Sequence, residues 1–485
     1  MLKLILRQAN WGILGALFAF AVGFFVKIYL IDIVGLEAWG KYATAQTFSS
    51  ISETFLSIGI PFVIIKFIPS FVDDNQEKAS RIASVFVKYA SIVGGLFLIL
   101  IYFSSDYINH FIYSDIDDLS WILLVMCIHV PISMLFGVVV SLYRSVLKIK
   151  EIVLYGTVIT VSLRAILTFI IFQYTSDISH FILIEVFTQI IVLSILLYLF
   201  NKNEFPLFVK SDTKEVTNDS KMVDYGKKMF YNSVIAFISG QALSFIISIK
   251  LPTEDVGAYN ILLTLTGLTT FLLINLNKVF APAISKLYHE NKISELNELY
   301  KKTTFFINLF TIPLAVIITI FADEILGLYT AEMLNYKKYL FFMLAGGMLS
   351  LAAGSSGTFM VMAGLEKQNL YIQFIRALFL SILSLSLIQY FSASFGMLII
   401  VILYVVFMLF VNLSQLIYIK KHINISPFSK ELILLFFLAI FGMYFAISQQ
   451  FNFEIYHYFI IPIGVYVTYF SIMYYPFKKL IKELL

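Results

Sequence analysis

Residues 152–174 read IVLYGTVITVSLRAILTFIIFQY, a run of 23 residues with one charge, Arg164, close to its middle. A bilayer core is crossed by about 20 apolar residues rising about 1.5 Å each, so this stretch has the length and composition of a membrane helix. Thirteen similar runs flank it, near residues 10–32, 42–66, 84–103, 119–142, 179–200, 230–250, 257–281, 303–322, 338–363, 369–390, 395–418, 431–448 and 457–475. The whole chain is 60% apolar, 17% aromatic and only 13% charged, too little charge to cover a water-soluble globule of this size. The expected fold class is therefore an all-α integral membrane protein of about 14 transmembrane helices.

The basic residues orient those helices. Of 34 Lys and Arg, 28 fall in or beside eight stretches that a 14-helix topology places on one face. Short cytoplasmic loops are enriched in Lys and Arg, so that face is the inner one. The chain then starts inside and, after an even number of crossings, ends inside with Lys478, Lys479 and Lys482. Twelve crossings remain the alternative, if a weak pair of runs re-enters. The expected location is the bacterial cytoplasmic membrane, with both termini cytoplasmic. The first run has no small-residue cleavage pattern and reads as a helix, not a signal peptide. The net charge of +4 reads as topology, not as a nucleic-acid surface. Cys127 is the only cysteine, which excludes an internal disulfide and a thiolate metal cluster.

Two landmarks recur at one offset. Gly40-Lys41-Tyr42 opens the second run and Gly257-Ala258-Tyr259 the eighth, 217 residues later; Tyr155 and Tyr371 follow equivalent charged turns 216 residues apart. Each half also carries a proline near the inner end of that helix, Pro61 and Pro282. The pattern implies duplication into two like-oriented, pseudo-two-fold-related six-helix bundles, the layout of an alternating-access transporter. The expected domains are residues 1–201, a polar cytoplasmic linker at 202–229, the second bundle at 230–420, and an appended helix pair with its tail at 421–485.

Six basic residues break the inside rule: Lys27, Lys41, Arg164, Lys250, Lys337 and Lys338. A charge at the bilayer centre costs on the order of 3 kcal/mol, so the deep ones need an account. Arg164 either pairs with an acid or is offered to an anion. Glu53 and Glu185 are each a candidate partner for it, or a protonatable coupling group. Lys27 and Lys250, near the outer ends of matching helices, either snorkel to the headgroups or form an anion-attracting ring suited to a diphosphate. Lys41, Lys337 and Lys338 read as rim residues. Gly354-Ser355-Ser356-Gly357 reads as a site of close packing or bending, and Asn275, Asn277 and Lys278 either line the inner mouth or face water. His129 has no second ligand at helical metal spacing, and no HExxH, Walker A or GxSxG pattern occurs, so neither an enzyme nor a bound cofactor is expected.

Asn10-Trp11-Gly12, Gly40-Lys41-Tyr42, Val256-Gly257-Ala258-Tyr259, the stretch Ala281 to Tyr288 (APAISKLY) and Glu295 to Tyr300 (ELNELY) resemble the bacterial polysaccharide-repeat-unit flippases. These are the Wzx-type (O-antigen and capsule) members of the multidrug/oligosaccharidyl-lipid/polysaccharide exporter superfamily. The resemblance implies translocation of undecaprenyl-diphosphate-linked oligosaccharide from the inner to the outer leaflet, among membrane lipids, with a polysaccharide polymerase and assembly proteins as further partners. It implies a cationic lumen for the diphosphate, for which Lys27, Arg164 and Lys250 are the candidates, and leaves H⁺ or Na⁺ coupling open. A drug or metabolite/cation antiporter of the same superfamily is the alternative, and it would favour acidic lumen residues.

Overall fold

The computed structural model describes residues 2–114, 116–211, 213, 216, 219–391, 393–448, 454, 456–474 and 478, and all regular structure among them is helical. Lys479 and Lys482, expected at the inner face, lie outside the described residues. Among the described residues twelve helices are long and apolar enough to cross a membrane. The first of these, Leu14–Leu56, is too long for one crossing, and His457–Ile472 is a shorter apolar helix. With the first divided at its kink and the last included, the helices correspond to the 14 expected runs. The chain is a multi-pass membrane protein.

In chain order the helices are α1 (Leu2–Leu56), α2 (Ile60–Asp74), α3 (Gln76–Ile112), α4 (Leu119–Ser145) and α5 (Ile149–Ile171). Next come α6 (Ile178–Asn203), α7 (Ser220–Lys250), α8 (Thr253–His289), α9 (Ile293–Ile320) and the short α10 (Ala322–Gly327). The last six are α11 (Lys337–Leu351), α12 (Ser356–Met362), α13 (Glu366–Tyr390), α14 (Ala393–Ile423), α15 (Lys430–Ser448) and α16 (His457–Ile472). Two compact units result, Met1–Gly257 and Ala258–Leu485. The division thus falls inside α8, later than the linker expected at 202–229. The reason lies in α7, which starts at Ser220 and packs on α1 and α2. At that contact Gly59 lies so close that a Cβ on it would meet the Gly226 carbonyl oxygen at 2.9 Å.

Three departures from the expected helix boundaries have local causes. The expected loop between runs one and two is helical, and the chain turns only at Gly35, whose φ of 83° and ψ of 168° suit glycine alone. The expected helix 42–66 is broken at Ser57–Gly59, where Ile58 and Gly59 take positive φ. Pro61 lies in the first turn of the new helix, where its missing N–H costs nothing. Pro282, with no glycine ahead of it, stays inside α8. The expected helix 338–363 is likewise interrupted between Leu351 and Ser356, at Gly354 with φ 57°. Gly354 also packs against the Thr304 side chain with no room for a Cβ, so the glycine both bends and packs as its sequence context implied.

Interrupted helices expose backbone carbonyls that hydrocarbon cannot satisfy. Side chains do so here. The Tyr89 hydroxyl donates to the Leu56 carbonyl at 3.0 Å. Tyr300 donates to the Ala353 carbonyl at 2.7 Å and Asn308 Nδ2 to that of Leu351 at 2.9 Å. Around these points each unit has its own core: Ile64, Ile82, Val139, Leu142 and Phe200 in the first, Ile284, Tyr300, Phe359 and Ile419 in the second. Lipid supplies no hydrophobic drive between helices, so close contact itself holds these cores. Gly40 and Gly257, the two repeat landmarks, form one such contact within the first unit. A Cβ on Gly40 would lie 1.7 Å from the Thr253 carbonyl oxygen, and one on Gly257 2.5 Å from that of Leu36.

Candidate functional site

The Gly35 turn sets the geometry of the first unit, because it folds Lys27, on one limb of α1, back towards Trp39 and Tyr42 on the other. The Lys27 amine lies over the Trp39 ring, 5.0 Å from its centroid, and Trp39 stacks on Tyr42 at 4.6 Å. Tyr42 donates its hydroxyl proton to Glu185 Oε2 at 2.9 Å and accepts one from Gln46 Nε2 at 3.2 Å. The second carboxylate oxygen of Glu185 takes Arg164 Nη1 at 2.7 Å. Three of the five candidate residues, Lys27, Arg164 and Glu185, therefore belong to one chain of contacts. Glu185 is 9% exposed and Arg164 27%, so the pair is well removed from water, and both carboxylate oxygens are engaged. Of the two acids offered as partners for Arg164, Glu185 is the one that meets it.

Arg164 is also less deep than the sequence suggests. α5 ends at Ile171 and α6 begins at Ile178, so Arg164 and Glu185 each lie seven residues from the turn joining their helices, about 10 Å at 1.5 Å per residue. Equal depth on adjacent helices is what lets them pair. A polar layer continues beside them: Gln189 Nε2 donates to Ser133 Oγ at 3.3 Å, and Ser133 Oγ lies 3.0 Å from His129 Nδ1. Glu53 and Lys250 stand apart from this network. Glu53 is half-buried on α1 one turn before the Ser57–Gly59 break, and Lys250 is exposed at the end of α7. Among the described residues no group of His, Cys, Asp and Glu is arranged to hold a metal ion.

The second unit holds a polar cavity of about 250 Å³. Its walls come from α8, the interruption before α12, α13 and α14, and its polar lining includes Asn277, Ser355, Gln373, Arg376, Asn412 and Gln415. Several of these groups are held in place. Gln415 bridges Ser356, at 2.7 Å, and Asn369, at 2.8 Å. Asn412 Nδ2 donates to Ser350 Oγ at 2.6 Å, and Ser355 bonds Asn277. Arg376 sits ten residues into α13, about 15 Å from its start. Its Nε is buried without a hydrogen-bond partner, and Tyr259 and Tyr404 are its electrostatic neighbours.

A family model described as "Polysaccharide biosynthesis protein" matches residues 32–337. That span includes Gly40 and Gly257 and covers well over half of the chain. The chain belongs to this family. No match is found among curated proteins. Among solved structures, this polysaccharide biosynthesis protein is similar to the lipid II flippase MurJ in an inward closed conformation. The TM-score is 0.72 and the identity 15%, with 96% of this chain and 98% of that one covered. It is also similar to an inward-facing multidrug resistance MATE family transporter of the MOP superfamily (TM-score 0.65, identity 12%, coverage 83% and 98%). A third is a MOP superfamily transporter from Pyrococcus furiosus (TM-score 0.62, identity 13%, coverage 87% and 96%). At these identities the likeness shows the fold.

Reading the sequence alone overlooks Arg376. It is one of the 28 basic residues assigned to or beside the inner stretches, because the run containing it was expected to start at 369. The helix starts at Glu366, which carries Arg376 three residues deeper. The repeat gives only a loose pointer: Arg164 follows Tyr155 by nine residues and Arg376 follows the matching Tyr371 by five.

Proposed function

We propose that the protein is a flippase that moves undecaprenyl-diphosphate-linked polysaccharide repeat units from the inner to the outer leaflet of the bacterial cytoplasmic membrane by alternating access. The observation that carries this reading is the family match over residues 32–337 on a chain of membrane-length helices. A diphosphate and several sugars would each lose their water in hydrocarbon, and a wet cavity between moving helices removes that barrier while the polyprenyl tail stays in lipid. In this reading Lys27, Arg164 and Lys250 contribute positive potential to the path of the headgroup, Arg164 while held by Glu185. Glu53, a half-buried carboxylate beside a helix break, is the candidate group for H⁺ or Na⁺ coupling. The function is transport, not catalysis, and a polymerase and assembly proteins receive the product.

Deleting the gene from its host tests the proposal. The expected outcome is loss of one surface polysaccharide with accumulation of its lipid-linked repeat unit, reversed by the wild-type chain and poorly by Lys27→Ala/Lys250→Ala at equal protein level. Unchanged polymer with no accumulated intermediate would remove the flippase reading. New drug sensitivity in its place would favour the antiporter.

A further inference from the structure

Arg376 presents a problem that Arg164 does not. Both are charges within membrane-length helices, where an unpaired charge costs on the order of 3 kcal/mol. Glu185 neutralises Arg164. Among the described residues no carboxylate forms an ion pair with Arg376; its Nε, like that of Arg164, is buried without a hydrogen-bond partner, so the missing carboxylate is what sets the two apart. Among the described residues no carboxylate lines its cavity either, and the polar lining is otherwise amides and hydroxyls. A cavity whose described lining carries a fixed cation and no fixed anion repels metal ions and attracts oxyanions. The flat guanidinium suits a carboxylate or phosphate through paired hydrogen bonds.

The rest of the lining narrows the ligand. Asn412 and Gln415 are held by bonds to Ser350, Ser356 and Asn369, so their amides are already oriented and lose little freedom on binding. Leu273, Met408 and Val411 supply apolar wall beside them. Amides next to apolar surface fit the hydroxyls and C–H faces of a sugar. The volume, about 250 Å³, is a little below the ~300–1,000 Å³ of drug-sized ligand sites. It suits one sugar ring with its acidic substituent, not a whole repeat unit.

We propose that this cavity is a binding subsite for an oxyanion-bearing sugar, with Arg376 taking the oxyanion and the surrounding amides and hydroxyls the sugar hydroxyls. The proposal rests on the flippase reading only for its physiological ligand, which is a glycosyl phosphate or a sugar carboxylate.

The test is calorimetric titration of the purified full-length protein in detergent with glucose 1-phosphate, glucuronate, pyrophosphate and glucose. Glucose 1-phosphate or glucuronate is expected to bind the wild type at least about tenfold more tightly than glucose, as a charge-assisted pair requires. Arg376→Gln, eluting as a single species, is expected to remove that preference, and Arg376→Lys to retain part of it. Tighter glucose 1-phosphate supports the linkage phosphate as the source, and tighter glucuronate an acidic sugar. Pyrophosphate binding as tightly as either sugar overturns the sugar part of the proposal. Equal binding of glucose and its acidic relatives, or an unchanged preference in Arg376→Gln, overturns the site itself. Binding that passes these tests in a chain whose deletion leaves polymer unchanged removes the flippase reading and leaves the subsite standing.

Discussion

Tyr42 and Tyr259 occupy matching places in the two halves of the sequence, and each has an arginine as electrostatic neighbour, Arg164 in one unit and Arg376 in the other. The first unit closes its arginine with Glu185 and spends both carboxylate oxygens doing so. The second places Tyr404 near its arginine and leaves a polar cavity beside it. Each half carries the tyrosine with an arginine near it, and among the described residues a single carboxylate separates a filled polar cluster from an open one. A buried ion pair is costly to break, because removing one member strands the other. A lone cation beside a cavity has little stabilising role to lose.

The largest expected effect follows from that asymmetry. Glu185→Ala strands Arg164 and is expected to destabilise the protein by about 3–5 kcal/mol, read as a lowered unfolding midpoint in detergent. Arg376→Ala is expected to leave the midpoint unchanged or raised, since it removes an uncompensated charge. Equal losses in the two variants would break the comparison. Next in size is Gly40→Ala. Its Cβ would fall 1.7 Å from the Thr253 carbonyl oxygen, so the α1–α8 crossing must open, at a cost of about 1–3 kcal/mol or more. Gly12→Ala, with open space around the new carbon, is the control, and a comparable loss there would show that the crossing is not tight. The smallest effect sharpens the comparison at the tyrosines. Tyr42→Phe removes a hydrogen bond to a carboxylate, about 1.5–3 kcal/mol. Tyr259→Phe, with no carboxylate partner to lose, is expected to cost less. The reverse order would mean that Tyr259 holds Arg376 more firmly than Tyr42 holds Glu185.

Much of this could be read directly from residue order. The apolar runs, the repeat at Gly40 and Gly257, and the bend at Gly354 all correspond to elements of the structure, because each depends on composition or backbone freedom over one or two turns. The interruptions were less legible. Pro61 and Pro282 look equivalent in sequence, yet only the first follows a break, where Gly59 supplies a positive φ and Tyr89, 33 residues from the Leu56 carbonyl it satisfies, makes the break tolerable. No local pattern announces such a donor.

The candidate charges divide in the same way. That Arg164, Glu53 and Glu185 lie in apolar runs, and so need partners or water, follows from hydropathy, since the penalty for a charge in hydrocarbon applies to each residue singly. Which acid meets which base does not. The choice of Glu185 over Glu53 required α5 and α6 to present two residues at equal depth, with Tyr42 delivered from a third helix by the turn at Gly35. That no carboxylate among the described residues meets Arg376 likewise depends on the helices around it. Pairing is a property of several helices in space, and only their packing could decide it.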